Sequence, residues 1–242
     1  MAASVRSFNT YGSTITDTTH VVPLPSGWQA GDVVYIGWEL TASSGTVSDP
    51  SGWTNLFTHF RSSGTTNSLH GVYRRVMQGG DGDVTFTTSS GRFAAVSVAV
   101  QGADTTTPED VTPTTDDNAS VVYPDVRAPS IDPAAADCLL LTFHALRNGT
   151  NGATTTFTAP AGMTECGDAT SNVAGISGAA IEGASLALSS GDATGTKTAT
   201  ASSSSGTSIN QMGSAVAVRS AAAGPAPTPP ITVVTPQVVT WG

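Results

Sequence analysis

Positive charge is scarce in this sequence. Lys and Arg together number 9 in 242 residues, against 18 Asp and Glu, and lysine occurs only at Lys197. The formal net charge of −9 would repel nucleic acid, because nucleic-acid binding requires clustered Lys and Arg that neutralise phosphates. Long apolar runs are missing too, and none approaches the roughly 18 residues that predict a membrane-spanning helix. We therefore expect neither nucleic acid nor a membrane among the partners.

Cysteine is rare as well. Cys138 and Cys166 are the only two, so a disulfide scaffold is excluded, although one bridge between them is geometrically conceivable. The first ten residues lack a charged region followed by an apolar stretch, so no Sec-type signal peptide is predicted. Without a secretion signal, the glycosylation acceptor patterns at Asn118 and Asn148 are interpreted as turns.

Glycine, proline and small polar residues dominate what is present. The chain has 26 Gly and 14 Pro, which interrupt short segments rich in Thr, Val and aromatic residues. Such residues suit a pleated, half-buried strand, and many short strands between turns indicate a sandwich or barrel. We predict an all-β protein with a jelly-roll-like antiparallel β-sandwich.

Four segments give the clearest strand signals. Residues 33–40 form a near-continuous apolar run, typical of a strand buried on both faces. Residues 71–77, 84–87 and 93–100 follow, and in 84–87 the apolar residues alternate with period two. The best helical candidate, residues 134–136, is limited to about a turn by the proline before it.

The second half of the chain repeats the first. Asp32 is aligned with Asp137, and three further segments match in the same order along the chain. These are 49–54 with 159–164, 80–81 with 191–192, and 94–100 with 212–218. We predict that residues 1–220 form the β-sandwich, with pseudo-repeats at about 20–103 and 125–219. One sandwich is favoured, and two subdomains joined by a linker near residues 104–118 are the alternative.

The end of the chain has a different character. Residues 221–230 are a Pro/Ala linker, expected to be extended as polyproline II. Residues 231–242 form an apolar tail of high β-propensity, which would promote aggregation unless it were docked. The tail could pack on its own domain or add as a strand to a neighbour's sheet. The side chains predicted to bind the partner are Ile231, Val233, Val234, Val238, Val239 and Trp241.

Catalytic motifs are missing. The sequence has no G-x-S-x-G elbow, no H-E-x-x-H and no glycine-rich nucleotide loop. Glu39 and Glu165 would be a glycosidase pair only if the fold brought them together, and solvated strand positions are the favoured interpretation. We therefore predict a protein that is not an enzyme and that uses no cofactor.

Metal sites have only weak support. His59 and His70 could meet across a hairpin as a metal pair, but two ordinary strand histidines are favoured. Asp81 with Asp83, and the group at 116–118, could hold calcium through loop oxygens. Asp and Asn at such positions more often support tight turns, so no metal site is predicted.

Two tryptophans follow Pro-Ser-Gly turns, at Trp28 and Trp53. Exposed on a sandwich, they would stack on sugars, as in a carbohydrate-binding module. A tryptophan beside such a turn more often closes the end of a core. In the second repeat Met163 replaces Trp53, which favours the core interpretation because methionine fills core gaps and stacks poorly on sugar.

Taken together, these motifs resemble a repeated β-sandwich module of virion structural proteins in tailed actinobacteriophages. The match consists of Gly-Asp at 31–32, Pro-Ser-Gly-Trp-Thr at 50–54, Val-Tyr-Arg-Arg-Val at 72–76, Gly-Asp-Val-Thr-Phe-Thr at 82–87, and the Ala/Val strand at 94–100. The second copy lacks the tryptophan and the Tyr-Arg-Arg strand. The resemblance implies a capsid decoration protein or a minor tail protein, with no catalytic residues to transfer.

From this resemblance we expect a virion protein on the outer surface of the head or on the tail, assembled in the host cytoplasm. Its partners would be the major capsid protein or other virion subunits, and self-association into a homo-oligomer is expected. A capsid decoration protein is the leading hypothesis and a minor tail or tail-tip protein is the alternative. A carbohydrate-binding adhesin module, using Trp28 and Trp53, is a second class, and a glycan-cleaving enzyme is a third.

Overall fold

The computed structural model describes residues 1–42, 45–63, 66–117, 124–147, 155–171, 178–202 and 210–222. These residues form antiparallel strands and contain no helix, so the predicted all-β sandwich class is confirmed. The strands of the first half are β1 (Ser4–Gly12), β2 (Asp17–Val22), β3 (Val33–Ala42), β4 (Val47–Ser48), β5 (Thr54–Ser63), β6 (Thr66–Val76) and β7 (Val84–Gln101). Those of the second half are β8 (Thr114–Asp116), β9 (Asp125–Ala128), β10 (Leu139–Arg147), β11 (Phe157–Thr158), β12 (Thr164–Thr170), β13 (Ala179–Ala187), β14 (Lys197–Ala201) and β15 (Asn210–Val218).

The first half builds one sheet, called sheet I here, in the order β1-β7-β3-β6-β5. The sequence predicted separate strands at 84–87 and 93–100, but they are two parts of the single strand β7. The first part of β7 pairs with β2 and β4, and the second part pairs with β1 and β3. The change of partners falls near Gly91, where a β-carbon would lie 2.7 Å from Leu40 and 2.8 Å from the Thr41 carbonyl oxygen.

The second half builds two sheets. Sheet II has the order β12-β13-β10-β15-β8, and sheet III has the order β11-β14-β9. Sheet II therefore repeats the order of sheet I, with β8 in the place of β1 and β12 in the place of β5. Sheet III repeats the arrangement of β2 and β4 around the first part of β7. The helical turn considered at 134–136 does not form, and those residues lie in bends and turns.

The strand register corrects one alignment made from the sequence. Val33 pairs with Val100, and Leu139 pairs with Val218. Because residues 94–100 match 212–218, Asp137 is the equivalent of Gly31 and not of Asp32. Both residues have a left-handed backbone, with φ of 90° at Gly31 and 64° at Asp137, so the shared feature is this turn before the strand and not an aspartate.

Sheets I and II pack face to face around an apolar core to which both halves contribute. The sheets approach closely at Gly37 of β3, where a β-carbon would lie 2.5 Å from Cγ of the Phe143 ring. The opposite face of sheet I is covered by an aromatic cluster in which Trp38 and Phe93 stack with their ring centroids 5.8 Å apart. The outer face of sheet II carries two smaller clusters, one of which it shares with sheet III.

Candidate functional site

The tail residues predicted to bind a partner lie outside the described residues. This applies to Ile231, Val233, Val234, Val238, Val239 and Trp241, and to the linker from residue 223 onward. What the structure describes is the point from which this segment leaves the sandwich, at residues 219–222.

Several parts of the fold hold this departure point in place. Ser220 forms a bridge with Ala103, and its hydroxyl accepts a hydrogen bond from the Ala3 backbone N–H at 2.8 Å. The same hydroxyl donates to the carbonyl of Asp137. One residue later, the Ala221 N–H donates to the Gly102 carbonyl at 2.8 Å. The N-terminus, the loop after β7 and the loop before β10 therefore all fix the chain at this point.

An ion pair reinforces the departure point. Arg219 Nε donates to Asp110 Oδ1 at 2.9 Å, while Asp110 Oδ2 accepts the N–H groups of Ala134 at 2.5 Å and Ala135 at 3.0 Å. Burial alone would raise the pKa of Asp110, but the bonds from Ala135, Arg219 and Ala134 hold it below its ordinary value. The carboxylate is thus an ionised anchor that joins Arg219 to the loop before β10.

The two tryptophans singled out from the sequence are half-buried and pack against the aromatic cluster outside sheet I. Each follows a glycine with φ of 78°, Gly27 or Gly52. At the second turn the Trp53 N–H donates to the Pro50 carbonyl at 3.1 Å, which is the geometry of a type II turn. The tryptophans are therefore partly core residues, and each keeps some exposed ring surface.

A pocket of about 290 Å³ opens beside Trp53. Its lining includes the buried residues Pro50, Met77 and Val84 and the half-buried Trp53. The remaining lining residues are Ser51, Arg75, Asp81, Gly82, Asp83 and Thr85. Trp28 does not line this pocket, so the structure separates the two tryptophans that the sequence placed in one hypothetical site.

Arg75 and Asp81, which both line this pocket, form an ion pair with two hydrogen bonds. Arg75 donates from Nε to Asp81 Oδ2 at 3.0 Å and from Nη2 to Asp81 Oδ1 at 2.5 Å. Asp81 also accepts the Gln78 N–H at 2.7 Å, and its pKa lies below the ordinary value because these bonds outweigh burial. No local pattern joins Arg75 with Trp53, because Arg75 lies on β6, Trp53 ends the turn before β5, and their approach depends on the β5–β6 register.

Two of the acidic residues considered for calcium, Asp81 and Asp83, have other roles. Asp81 holds Arg75, and Asp83 Oδ1 accepts the Leu24 N–H at 3.0 Å. Asn118 lies outside the described residues. Within the described ranges no group of three His, Cys, Asp or Glu side chains is placed to hold a metal ion.

His70 and His59 face each other across the β5–β6 ladder, as the hairpin hypothesis required. His70 nevertheless has both ring nitrogens engaged, with Nδ1 2.8 Å from the Trp38 carbonyl and Nε2 2.9 Å from Ser214 Oγ. Burial lowers the pKa of His70 to about 4. His70 therefore serves as a neutral link between the two sheets.

Glu39 and Glu165 are not brought together. Glu39 is fully buried on the face of β3 that looks toward sheet II, and burial raises its pKa well above the usual range despite Ser68 and Arg147. Glu165 lies on β12 opposite Ala184, on the outer face of sheet II. That sheet stands between the two carboxylates, so the pair needed for a glycosidase does not form.

A second group of polar side chains lies on the outer face of sheet II. His144 Nδ1 is 2.6 Å from Glu182 Oε2, and both side chains are fully buried. Asp168 is the cross-strand partner of Glu182, and its Oδ2 accepts the Phe157 N–H at 2.7 Å. Burial, together with the charges of Glu165 and Glu182, outweighs the effect of this bond and raises the pKa of Asp168 to about 7.

The raised pKa of Asp168 predicts a pH dependence of stability. Between the ordinary value of 3.8 and about 7, the folded state keeps a proton that the unfolded state has released, so the free energy of unfolding falls as pH rises and levels off above pH 7. Asp168→Asn removes this effect while its amide oxygen still accepts from Phe157. We expect the variant's gain in Tm over the unaltered protein to be larger at pH 8 than at pH 5, in thermal melts.

His70 has the opposite effect on stability, because its lowered pKa makes the free energy of unfolding rise between about pH 4 and pH 6.5. Both proteins contain His70, so its contribution cancels when their Tm values are compared. Asp192→Asn, at an exposed position, is the matched control and should change Tm equally at both pH values. An equal gain for Asp168→Asn at pH 5 and pH 8 would show that Asp168 is ionised in the fold.

Both cysteines are free and buried, so the disulfide considered from the sequence does not form. Cys166 belongs to the core between the sheets, and burial raises the pKa of its thiol to about 11. A thiol held protonated in this way acts as a small apolar side chain.

Comparisons of the chain with models of protein families, with curated proteins and with solved structures find no match. Among the described residues there is no helix with the length and apolar character needed to cross a membrane. Function is therefore inferred from the residues themselves.

Proposed function

We propose that this chain is a non-enzymatic structural protein of a phage virion, and specifically a capsid decoration protein that attaches through its C-terminal tail. The observation that carries the proposal is the fixed departure point at residues 219–222. A tail that leaves from a rigid anchor is presented to a neighbour at a defined position, which reduces the orientational entropy lost on docking.

The tail has the composition of a strand that completes another sheet. Residues 231–242 carry no charged side chain, and an extended segment of this kind gains main-chain hydrogen bonds when it adds to an exposed sheet edge. Pro236 cannot donate to a ladder, so pairing would occur in two short pieces around it. The linker beyond the departure point, residues 223–230, would span about 25 Å if extended as polyproline II, which lets the tail reach an adjacent subunit.

The sandwich suits the role of a rigid block. Its two main sheets share one apolar core, and the resemblance noted in the sequence is to virion proteins that add buried area between capsid subunits. The partner is the major capsid protein or another virion subunit, and self-association would arise if the tail completes a sheet of a second copy. A minor tail protein would use the same interaction at another place in the particle.

Removal of the tail tests this proposal. Truncation after Ala222 keeps the Ala221 bond to Gly102, so the sandwich should keep its Tm while binding to particles of the encoding virus falls below detection. Co-sedimentation with particles that lack their own copy measures the binding, and cryo-electron microscopy of particles coated with the full chain distinguishes head from tail.

The matched control for the truncation replaces only Val233 and Val238 with threonine, which keeps length and β-propensity but lowers the apolar area of the tail. This variant should bind more weakly than the full chain and more strongly than the truncated one. Full occupancy by the truncated protein would rule out attachment through the tail.

A further inference from the structure

The pocket beside Trp53 has a counterpart in the second half of the chain, and the two differ in chemistry. The turn Pro160–Met163 repeats Pro50–Trp53, with Gly162 at φ of 79° and a hydrogen bond from the Met163 N–H to the Pro160 carbonyl at 3.0 Å. By the strand register, Leu186 then takes the place of Arg75. Leu188 likewise takes the place of Met77.

In the second half the positions equivalent to Trp53, Arg75 and Met77 carry apolar side chains. Met163, Leu186 and Leu188 pack against a cluster that contains Leu140 and Ile131. The fold therefore does not require an arginine or a tryptophan at this place. The polar pocket in the first half is therefore a departure from the repeat.

The lining of the pocket combines three kinds of surface. The half-buried indole of Trp53 offers an apolar ring face, and the Arg75–Asp81 pair offers donors and acceptors in one plane. Hydroxyl groups of Ser51 and Thr85 stand among the exposed residues of the lining. The lining therefore joins an apolar ring face to several convergent polar groups, which fix the orientation of a ligand in a pocket.

We propose that this pocket binds one neutral sugar unit of a glycan, with the C–H face of the ring on Trp53 and the hydroxyl groups on Arg75 and Asp81. Aromatic rings give a large apolar contact area, and hydrogen bonds to ionised groups are stronger than those between neutral groups. Arg75 is balanced by Asp81, and Asp83 adds a negative charge, so the pocket disfavours acidic sugars. This binding goes beyond attachment through the tail and uses no tail residue.

Saturation-transfer NMR on the full chain tests the assignment. The probes are the methyl glycosides of glucose, galactose, mannose, N-acetylglucosamine and glucuronic acid. At least one neutral glycoside should bind, with the strongest transfer to its ring C–H protons, and the glucuronide should bind more weakly. Failure of all four neutral glycosides to bind, or binding of the glucuronide alone, overturns the proposal.

Two variants take their new residues from the second half, where the fold already accommodates them. Trp53→Met and Arg75→Leu should each weaken binding by about tenfold or more. Trp28→Met is the matched control, since Trp28 packs on the same cluster outside the pocket, and it should leave affinity unchanged. Melting curves establish that each variant is folded, and unchanged binding in folded Trp53→Met overturns the proposal.

A synthetic peptide of residues 223–242 distinguishes the other class of occupant, because proline-rich segments also dock on aromatic-lined grooves. The peptide should neither bind the truncated sandwich at this pocket nor displace the sugar. If it occupies the pocket and no glycoside binds, the pocket is a peptide site and the proposal is wrong. Neither outcome depends on attachment to particles. A failure of the sugar proposal can therefore be told apart from a failure of the proposal that the tail attaches the protein.

Discussion

Replacing Gly213 by alanine is expected to destabilise the protein by about 3 kcal/mol or more. Gly213 lies on β15, on the face that looks toward β9. A β-carbon there would lie 2.5 Å from the carbonyl carbon of Arg127 and 2.8 Å from the backbone nitrogen of Ala128. These are backbone atoms, so relief requires β9 to move away from sheet II, and with it the apolar cluster that contains Val126.

Urea unfolding measures this loss as a lower transition midpoint at unchanged slope. Gly79→Ala is the matched control, because a β-carbon at Gly79 meets nothing within 4 Å. It should change the free energy of unfolding by no more than about 0.5 kcal/mol. Equal midpoints for the two variants would mean that β9 does not cross β15 as closely as the structure has it.

Local sequence patterns predicted the strands well and their partners poorly. The run 33–40 lies within β3, all of whose residues are buried, because a strand covered on both faces needs apolar side chains at every position. The continuity of β7 was missed because Ser89, Ser90 and Gly91 have the composition of a turn. There the strand passes from one set of partners to another, and small residues permit that bend.

The roles of single glycines depend on tertiary contacts that no local pattern contains. Gly213 is one small residue in an alternating strand, and only the crossing of β9 shows why a side chain is excluded. The one-residue error at Asp137 has a similar origin. Matching aspartates by identity hid the real equivalence with Gly31, which is a left-handed backbone conformation that Asp adopts more readily than most residues.

The sequence identified one residue of the candidate sugar pocket, Trp53, but not the residues with which it lines the pocket. Trp53 was identified from its turn, and the methionine at the repeated position was noted as a difference between the halves. Arg75 belongs to a strand segment, 71–77, that was predicted without a binding role. Its approach to Trp53 depends on the pairing of β5 with β6, which contains a bulge between Asn55 and Phe57. A bulge shifts which side chains share a face, and the sequence pattern does not locate it.

The second large effect is expected from Phe143→Ala, which should cost about 3–5 kcal/mol. Phe143 is fully buried in the core between sheets I and II. Its ring fills a notch formed by two glycines, Gly37 of the opposite sheet and Gly183 of the neighbouring strand. Removing the ring leaves a cavity in the core between the two sheets, and urea unfolding measures the lost stability.

A double-mutant cycle with Gly37→Ala shows whether this contact joins the halves. Alone, Gly37→Ala should be destabilising, because its β-carbon would lie 2.5 Å from Phe143 Cγ. With Phe143→Ala the obstacle is gone and the new methyl group enters the cavity, so the two costs should fall short of additivity by about 1 kcal/mol or more. Purely additive costs would mean that the ring of Phe143 does not lie over Gly37, and that this contact does not join the two sheets.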